Sequence, residues 1–331
     1  ANISQPDADG YHVMPAPDAA GVVVLQSGRT YRAADLSFAG VMHIEVSGDR
    51  PASVVVTPAS PWRVKASQVI LNNVRLSMLD AQPPAVNVNA AFLCTSDVLS
   101  MTGCVIDTSA AGNAASCVHW SAAAGVTNVI SMKNCVFSGG GYGMWLSAVP
   151  DRCTLTNTLF INRRAALRCD VSAAGNLSPR LTLSQVTQVV GHSFLDIVAE
   201  PPAVDGVAVQ IRCGESVLAP SAALLRIALP AGADSQAIKA EFLLPERGNP
   251  TVVPPTVDPV VYFDRSLNQM VRLAESQIVA ESLLIAEPIF RNASGNMTDF
   301  RQFELLDFEG PKLSQQMPGI DASALPTGTV E

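Results

Sequence analysis

Two aspartates, Asp170 and Asp196, sit in short stretches of alternating polarity, RCDVSA and FLDIVA. Three further stretches of the same shape, AVNVNA, CVHWSA and MWLSA, carry Asn87, His119 and Trp145 at the matching place. From Asn87 to Asp196 the intervals are 32, 26, 25 and 26 residues. In each stretch the flanking pair (Val86/Val88, Val118/Trp120, Met144/Leu146, Cys169/Val171, Leu195/Ile197) shares one parity. Side chains alternate along a strand, so these pairs face inward and the residues between them face out. If each interval is one turn of a stacked solenoid, the outward residues form a column with neighbours about 5 Å apart. Arg168 flanks that column two residues before Asp170.

Carboxylates held so close compete to ionise, which raises one pKa. A pair about 5 Å apart suits a retaining glycoside hydrolase, and a wider pair suits inversion. Trp145 would add a flat face for a sugar ring. The candidate ligand-binding residues are therefore Asn87, His119, Trp145, Arg168, Asp170 and Asp196, with Asp170, Asp196 and His119 as acid, base or nucleophile. Polar residues are also the default on any outward strand position, and a non-catalytic surface accounts for the same column.

The elements that must position this column announce themselves as repeats. LNNVRLS, MTGCVID, MKNCVFS, LTNTLFI and LSQVTQV align on Asn73, Gly103, Asn134, Asn157 and Gln185, at intervals of 30, 31, 23 and 28 residues. Periods of this length mark solenoids, in which no single unit buries its apolar face alone. Each copy is short, rich in Val, Ile, Leu and Thr, and bounded by Gly, Ser, Asn and Asp, which reads as strand. TSAAGNAAS and SGGGYG read as turns. Two or three short strands per coil describe an all-β, right-handed, single-stranded parallel β-helix.

At these residues the chain resembles the pectate-lyase-like superfamily, whose coils have this length and often carry an Asn ladder at one turn. Asn73, Asn134 and Asn157 match such a ladder, Gly103 interrupts it, and Gln185 is a longer-armed variant. VVVLQSGRTYRAADLSF, with its Gly28-x-x-Tyr31, resembles the first coil of many β-helices. The resemblance covers roughly residues 20–215 and implies architecture, not reaction. Of the polygalacturonase-like motifs only Gly191-His192-Ser193 has a partial match, so His192 is expected in a turn. A looser likeness to β-helical regions attached to bacterial serine/threonine kinases rests on GDRPASVVVTPASPWRV and PGIDASALP. No kinase motif lies in the chain.

The expected division is an extension over 1–20, coils over 21–215, and a capping and wrapping region with a surface tail over 216–331. The run 265–287 fits an amphipathic helix, with Leu267, Met270, Val271, Ile278 and Leu284 at near-helical spacing, or else a set of last irregular strands. NPTVVPPTVDPVVYF carries four prolines and is not expected to be a central strand.

Composition narrows the function. Of 331 residues 48% are apolar and 15% charged, with 21 basic against 29 acidic and a net charge of −8. That is low in charge for a globular chain, and no basic footprint for nucleic acid is present. No apolar run reaches the length of a membrane span. The first 20 residues lack a basic and apolar leader pattern, which reads as a removed signal or as a piece of a larger, membrane-anchored protein. Seven cysteines without a CxxC pair, and four scattered histidines, give no zinc spacing. Cys104 and Cys135 share one repeat position and should stack about 4.8 Å apart as a buried apolar ladder. Arg163 and Arg164 suit a carboxylate or sulfate clamp or a solvated loop. Asn176, Asn292 and Asn296 are glycosylation sequons by pattern. The expectation is a non-catalytic, extracytoplasmic scaffold or recognition module for a polysaccharide or protein partner, with no cofactor and no metal. A polysaccharide hydrolase or lyase is the alternative.

Overall fold

The computed structural model of the chain describes residues 6–79, 90–111, 115–122, 127–171, 176–199, 206–229, 235–246, 248–264, 268–286 and 319–326. Its strands form one 19-stranded and one 10-stranded sheet, and the described residues contain no α-helix. Strands one repeat apart lie parallel and in register, as in Val129–Gly139 against Arg152–Asn162 and Ala165–Val171 against Ser193–Ala199. The chain is a parallel β-helix. No described helix is long and apolar enough to cross a membrane.

Each coil has two strands in the larger sheet, separated by a corner, and a third in the smaller one. The corner falls on the repeat position. Asn73, Asn134, Asn157 and Gln185 have φ of 57°, 53°, 45° and 55°, Gly103 has 64°, and Glu215 extends the series at 52°. This left-handed region is hostile to most side chains but tolerated by Asn and free for Gly. The repeating Asn is therefore a backbone requirement. A side-chain ladder comes with it, Asn157 Nδ2 donating to Asn134 Oδ1 at 3.0 Å. Gly103 breaks the ladder because Asn73 Oδ1 fills the space a Cβ there would need.

Inward residues stack coil upon coil and fill the interior. Leu71, Met101, Met132, Leu155 and Leu183 form one such file, all at most 1% exposed. Phe137 and Phe160 stack with ring centroids 5.1 Å apart at 15°. All seven cysteines are buried and unpaired by disulfides, Cys104 and Cys135 on successive coils as the repeat predicts. Burial pushes the thiols of Cys94, Cys117, Cys153 and Cys169 up to about 12, which rules against a ready thiolate.

Parallel pairing runs on past residue 215. Ile238–Leu243 pairs with Gly206–Gly214, and Thr251–Val253 pairs with Leu283–Ile285. The stretch 265–287 holds short strands and a one-turn 3-10 segment where it is described, so the strand alternative is the correct one. Contrary to the expectation from its prolines, NPTVVPPTVDPVVYF does hold a strand with partners on both sides: Asp258–Asp264 pairs parallel with Ala223–Ala228 and antiparallel with Gln269–Arg272. The N–H of Asp258 bonds to Ala222 O, so Pro259 turns its missing donor to the opposite edge. Antiparallel pairing on that edge begins only at Val261, and nothing is lost.

Candidate functional site

The outer face of the smaller sheet carries the candidate column, with a changed membership. One row runs Arg63, Leu93, His119, Trp145, Arg168, Asp196, Arg226 and Val261. His119, Trp145 and Asp196 are there as expected, and Arg168 belongs to the row itself. Asp170 does not: it pairs with Val198, two residues further along. Matching RCDVSA to FLDIVA by shape slips this coil by two residues, and a two-residue slip keeps every side chain on its expected face. The apolar pattern is blind to it. Counting from the corner is not. Asn134 to Trp145, Asn157 to Arg168, Gln185 to Asp196 and Glu215 to Arg226 are each 11 residues. Asn87 lies outside the described residues, and the row position in its coil belongs to Leu93.

In-register stacking turns planar side chains face to face along the helix axis. His119 lies over Trp145 with centroids 4.7 Å apart at 17°. The Arg168 guanidinium stands 4.8 Å from the centre of the same indole and 5.3 Å from that of Tyr142. With His119 and Arg168 both stacked on it, Trp145 has no face left for a sugar, which corrects the expected stacking platform. Its Nε1 donates to Asp170 Oδ2 at 2.5 Å.

Both aspartates are held by arginines. Arg168 Nε donates to Asp170 Oδ1 at 2.7 Å. Arg226 grips Asp196 in a two-pronged pair, Nε to Oδ1 at 3.1 Å and Nη2 to Oδ2 at 2.7 Å, and Ser193 Oγ also donates to Oδ1. The Asp196 side chain is 3% exposed, and burial raises its carboxyl above the usual range against the pull of Arg226. The Asp196 carboxylate is closed to a substrate, and Asp170, with its side chain 24% exposed, has both oxygens already engaged, by Arg168 and Trp145. His119 Nε2 and Ser147 Oγ lie 2.6 Å apart, and burial lowers the imidazole's pKa, with Asp170 opposing and Arg168 adding to the drop. His192 occupies a turn and is exposed. Arg163 and Arg164 are exposed, Arg164 resting over the Tyr142 ring at 5.6 Å. Asn292 and Asn296 lie outside the described residues.

What pattern reading missed is a groove of about 440 Å³ at the N-terminal end of this face. Leu93, Leu36 and Val64 are among its apolar lining residues. Arg63, Lys65 and His119 bring positive or protonatable groups, Thr95 and Ser121 hydroxyls, and Asp35 a lone carboxylate 3.8 Å from Arg63. Thr95 Oγ1 and Ser121 Oγ are 3.1 Å apart. The alternation in WRVK marks Arg63 and Lys65 as outward, but nothing in the repeat distinguishes them from any solvated pair. Among the described residues no three His, Cys, Asp or Glu side chains gather as metal ligands would. Compared with protein-family models, with curated proteins and with solved structures, the chain has no match.

Proposed function

We propose that this β-helix is a non-catalytic recognition module of the pectate-lyase-like kind, working outside the cytoplasm, and that the groove beside His119 takes an acidic glycan. One observation carries the reading. The two carboxylates that would perform hydrolysis are each tied to an arginine, whereas the adjacent groove presents Lys65 and Arg63, both exposed and the latter 3.8 Å from Asp35, beside hydroxyls. Cations beside hydroxyl groups suit the carboxylate and hydroxyls of a uronic acid residue. In a chain of net charge −8, a locally basic groove is a local device and not a by-product of composition. The parallel stack lets successive coils present similar groups at about 4.8 Å intervals, which suits an extended ligand. Burial of all seven thiols shields them from an oxidising compartment.

The test is a thermal-shift series against polygalacturonate, alginate, dextran and xylan, with reducing-end detection on the same samples. The reading expects stabilisation by an acidic polymer, loss of that shift in Arg63→Ala/Lys65→Ala, and no new reducing ends. New reducing ends that vanish in Asp196→Asn would overturn it in favour of hydrolysis. Absence of any shift would leave a scaffold for a protein partner.

A further inference from the structure

A second feature lies on another face. Outward positions of a solenoid strand are ordinarily polar, yet most of those just after the corner are apolar here. Val136, Leu159, Val217 and Val252 form a stripe across successive coils, interrupted by the buried Thr187 and joined by Val189 two residues further along that strand; the five apolar side chains are each at most 7% exposed. Ile320 and Leu325, buried to 2% and 3% exposure, pack into that stripe. The segment from Asp321 to the end, which carries Leu325, was expected to be a surface tail, and Ile320 to lie in the capping and wrapping region. Instead, what is described of it lies back on the stack as a strap, and residues 327–331 fall outside the described set.

The strap is gripped by its backbone. Gly319 N donates to Glu215 O at 2.6 Å, and Ile320 N to Thr187 Oγ1 at 3.0 Å. Asp321 N donates to Asn157 Oδ1 at 2.6 Å, while Asn157 Nδ2 donates to Asp321 O at 3.1 Å. These contacts reach three successive coils. Beyond them Asp321 Oδ1 accepts from Ser323 N at 3.1 Å and Ser323 Oγ at 2.6 Å, capping a 3-10 turn over Ala322–Ala324. That turn carries Leu325 to the stripe. Two apolar anchors flanking a self-capped turn, with the amides of Gly319, Ile320 and Asp321 read one by one at its start, is how a protein recognises a short peptide. The corner asparagines thus serve two ends: they allow the bend, and one of them reads the strap.

Nothing in these contacts depends on which molecule supplies the segment. Between Ala286 and Gly319 lie 32 residues, whose fully extended span of about 105–115 Å is roughly twice the height of a ten-coil stack at about 4.8 Å per coil. We propose that the stripe with Asn157, Thr187 and Glu215 is a peptide-binding site, that Gly319–Leu325 fills it as a removable strap, and that the strap of a second copy fills it when the chain's own is out. The ligand class is a peptide of the pattern Gly-Ile-Asp, a capped turn, then Leu. At low concentration the attached strap wins, since a tether gives it a high effective concentration.

The experiment uses the full chain with Ile320→Asp/Leu325→Asp to release the strap, and a labelled peptide of residues 317–327. The released variant binds the peptide saturably, the parent chain at least tenfold more weakly, and adding Asn157→Ala to the released variant costs a further tenfold. A mixture of the released variant with a Leu159→Arg chain, whose strap is intact and whose site is blocked, forms a 1:1 complex by light scattering, while neither does alone. If circular dichroism shows the double variant unfolded, Ile320→Asn replaces it. A folded released variant that ignores the peptide, or binds it no better than the parent chain, overturns the site. Peptide binding with no complex in the mixture overturns the second copy as its source.

Discussion

Replacing Asn157 separates the backbone duty of the corner from its side-chain duty. Asn157 is 2% exposed, has φ of 45°, and takes part in three hydrogen bonds, to Asn134 and twice to Asp321. Asn157→Ala removes all three, at about 1 kcal/mol each, and places a Cβ-bearing residue without a local polar group in the left-handed region, for a further 1–2 kcal/mol or so. The expected loss is about 4 kcal/mol. Asn157→Gly loses the same bonds but not the strain, and pays roughly 0.5–1 kcal/mol of extra chain entropy. The glycine variant should therefore be the more stable of the two by about 0.5–1 kcal/mol, the reverse of the usual order in a strand. Urea unfolding followed by circular dichroism, with equal slopes for the variants, reads the difference as a shift in midpoint. Alanine at or above glycine would refute the claim that the corner selects its residue by backbone conformation.

Three more outcomes follow from the same geometry. Gly103→Ala meets both a φ of 64° and the Asn73 amide, so it should lower stability by about 2–3 kcal/mol; because Asn73→Ala removes that amide at its own cost in backbone strain, the double variant should lose less than the sum of the two single losses. His119 has its pKa lowered mainly by burial, so the unfolded chain binds its proton more readily than the folded one. The stability it contributes is present above about pH 6.5 and lost as pH falls toward the depressed folded value; His119→Gln should flatten the unfolding midpoint across that window, and an unchanged profile would refute the assignment. Thiol labelling of the native protein at pH 8 should be slow at all seven cysteines and complete in guanidinium, because all are buried; rapid reaction of any one would place it elsewhere.

The coil was legible because its corner demands a residue type. Asn, Gly and a longer amide at φ near 50° leave a mark in sequence that survives variation in the strands around it. The third strand left a weaker mark. Its period of two is unchanged by a two-residue slip, and connections of different length separate it from the corner. Leu93 stands 20 residues after Asn73 and His119 16 after Gly103, against 11 in the four coils that follow. Asp170 was misplaced by the two-residue slip alone, since its coil keeps the 11-residue count, and Arg168 found its true row only through pairing. The ion pairs that occupy Asp170 and Asp196 were out of reach for a related reason. Arg226 meets Asp196 across 30 residues, and the partnership depends on register and not on composition. The strap was harder still, since 164 residues separate Asn157 from Asp321 and no repeat announces their contact.

Calorimetric titration with a uronic acid oligosaccharide of defined length, followed by chromatography of the same sample, tests the recognition role most directly. The account predicts saturable binding that weakens with added salt, disappears in Arg63→Ala/Lys65→Ala, survives in Asp196→Asn, and returns the oligosaccharide intact. Cleaved oligosaccharide, or binding indifferent to Arg63 and Lys65, would contradict it.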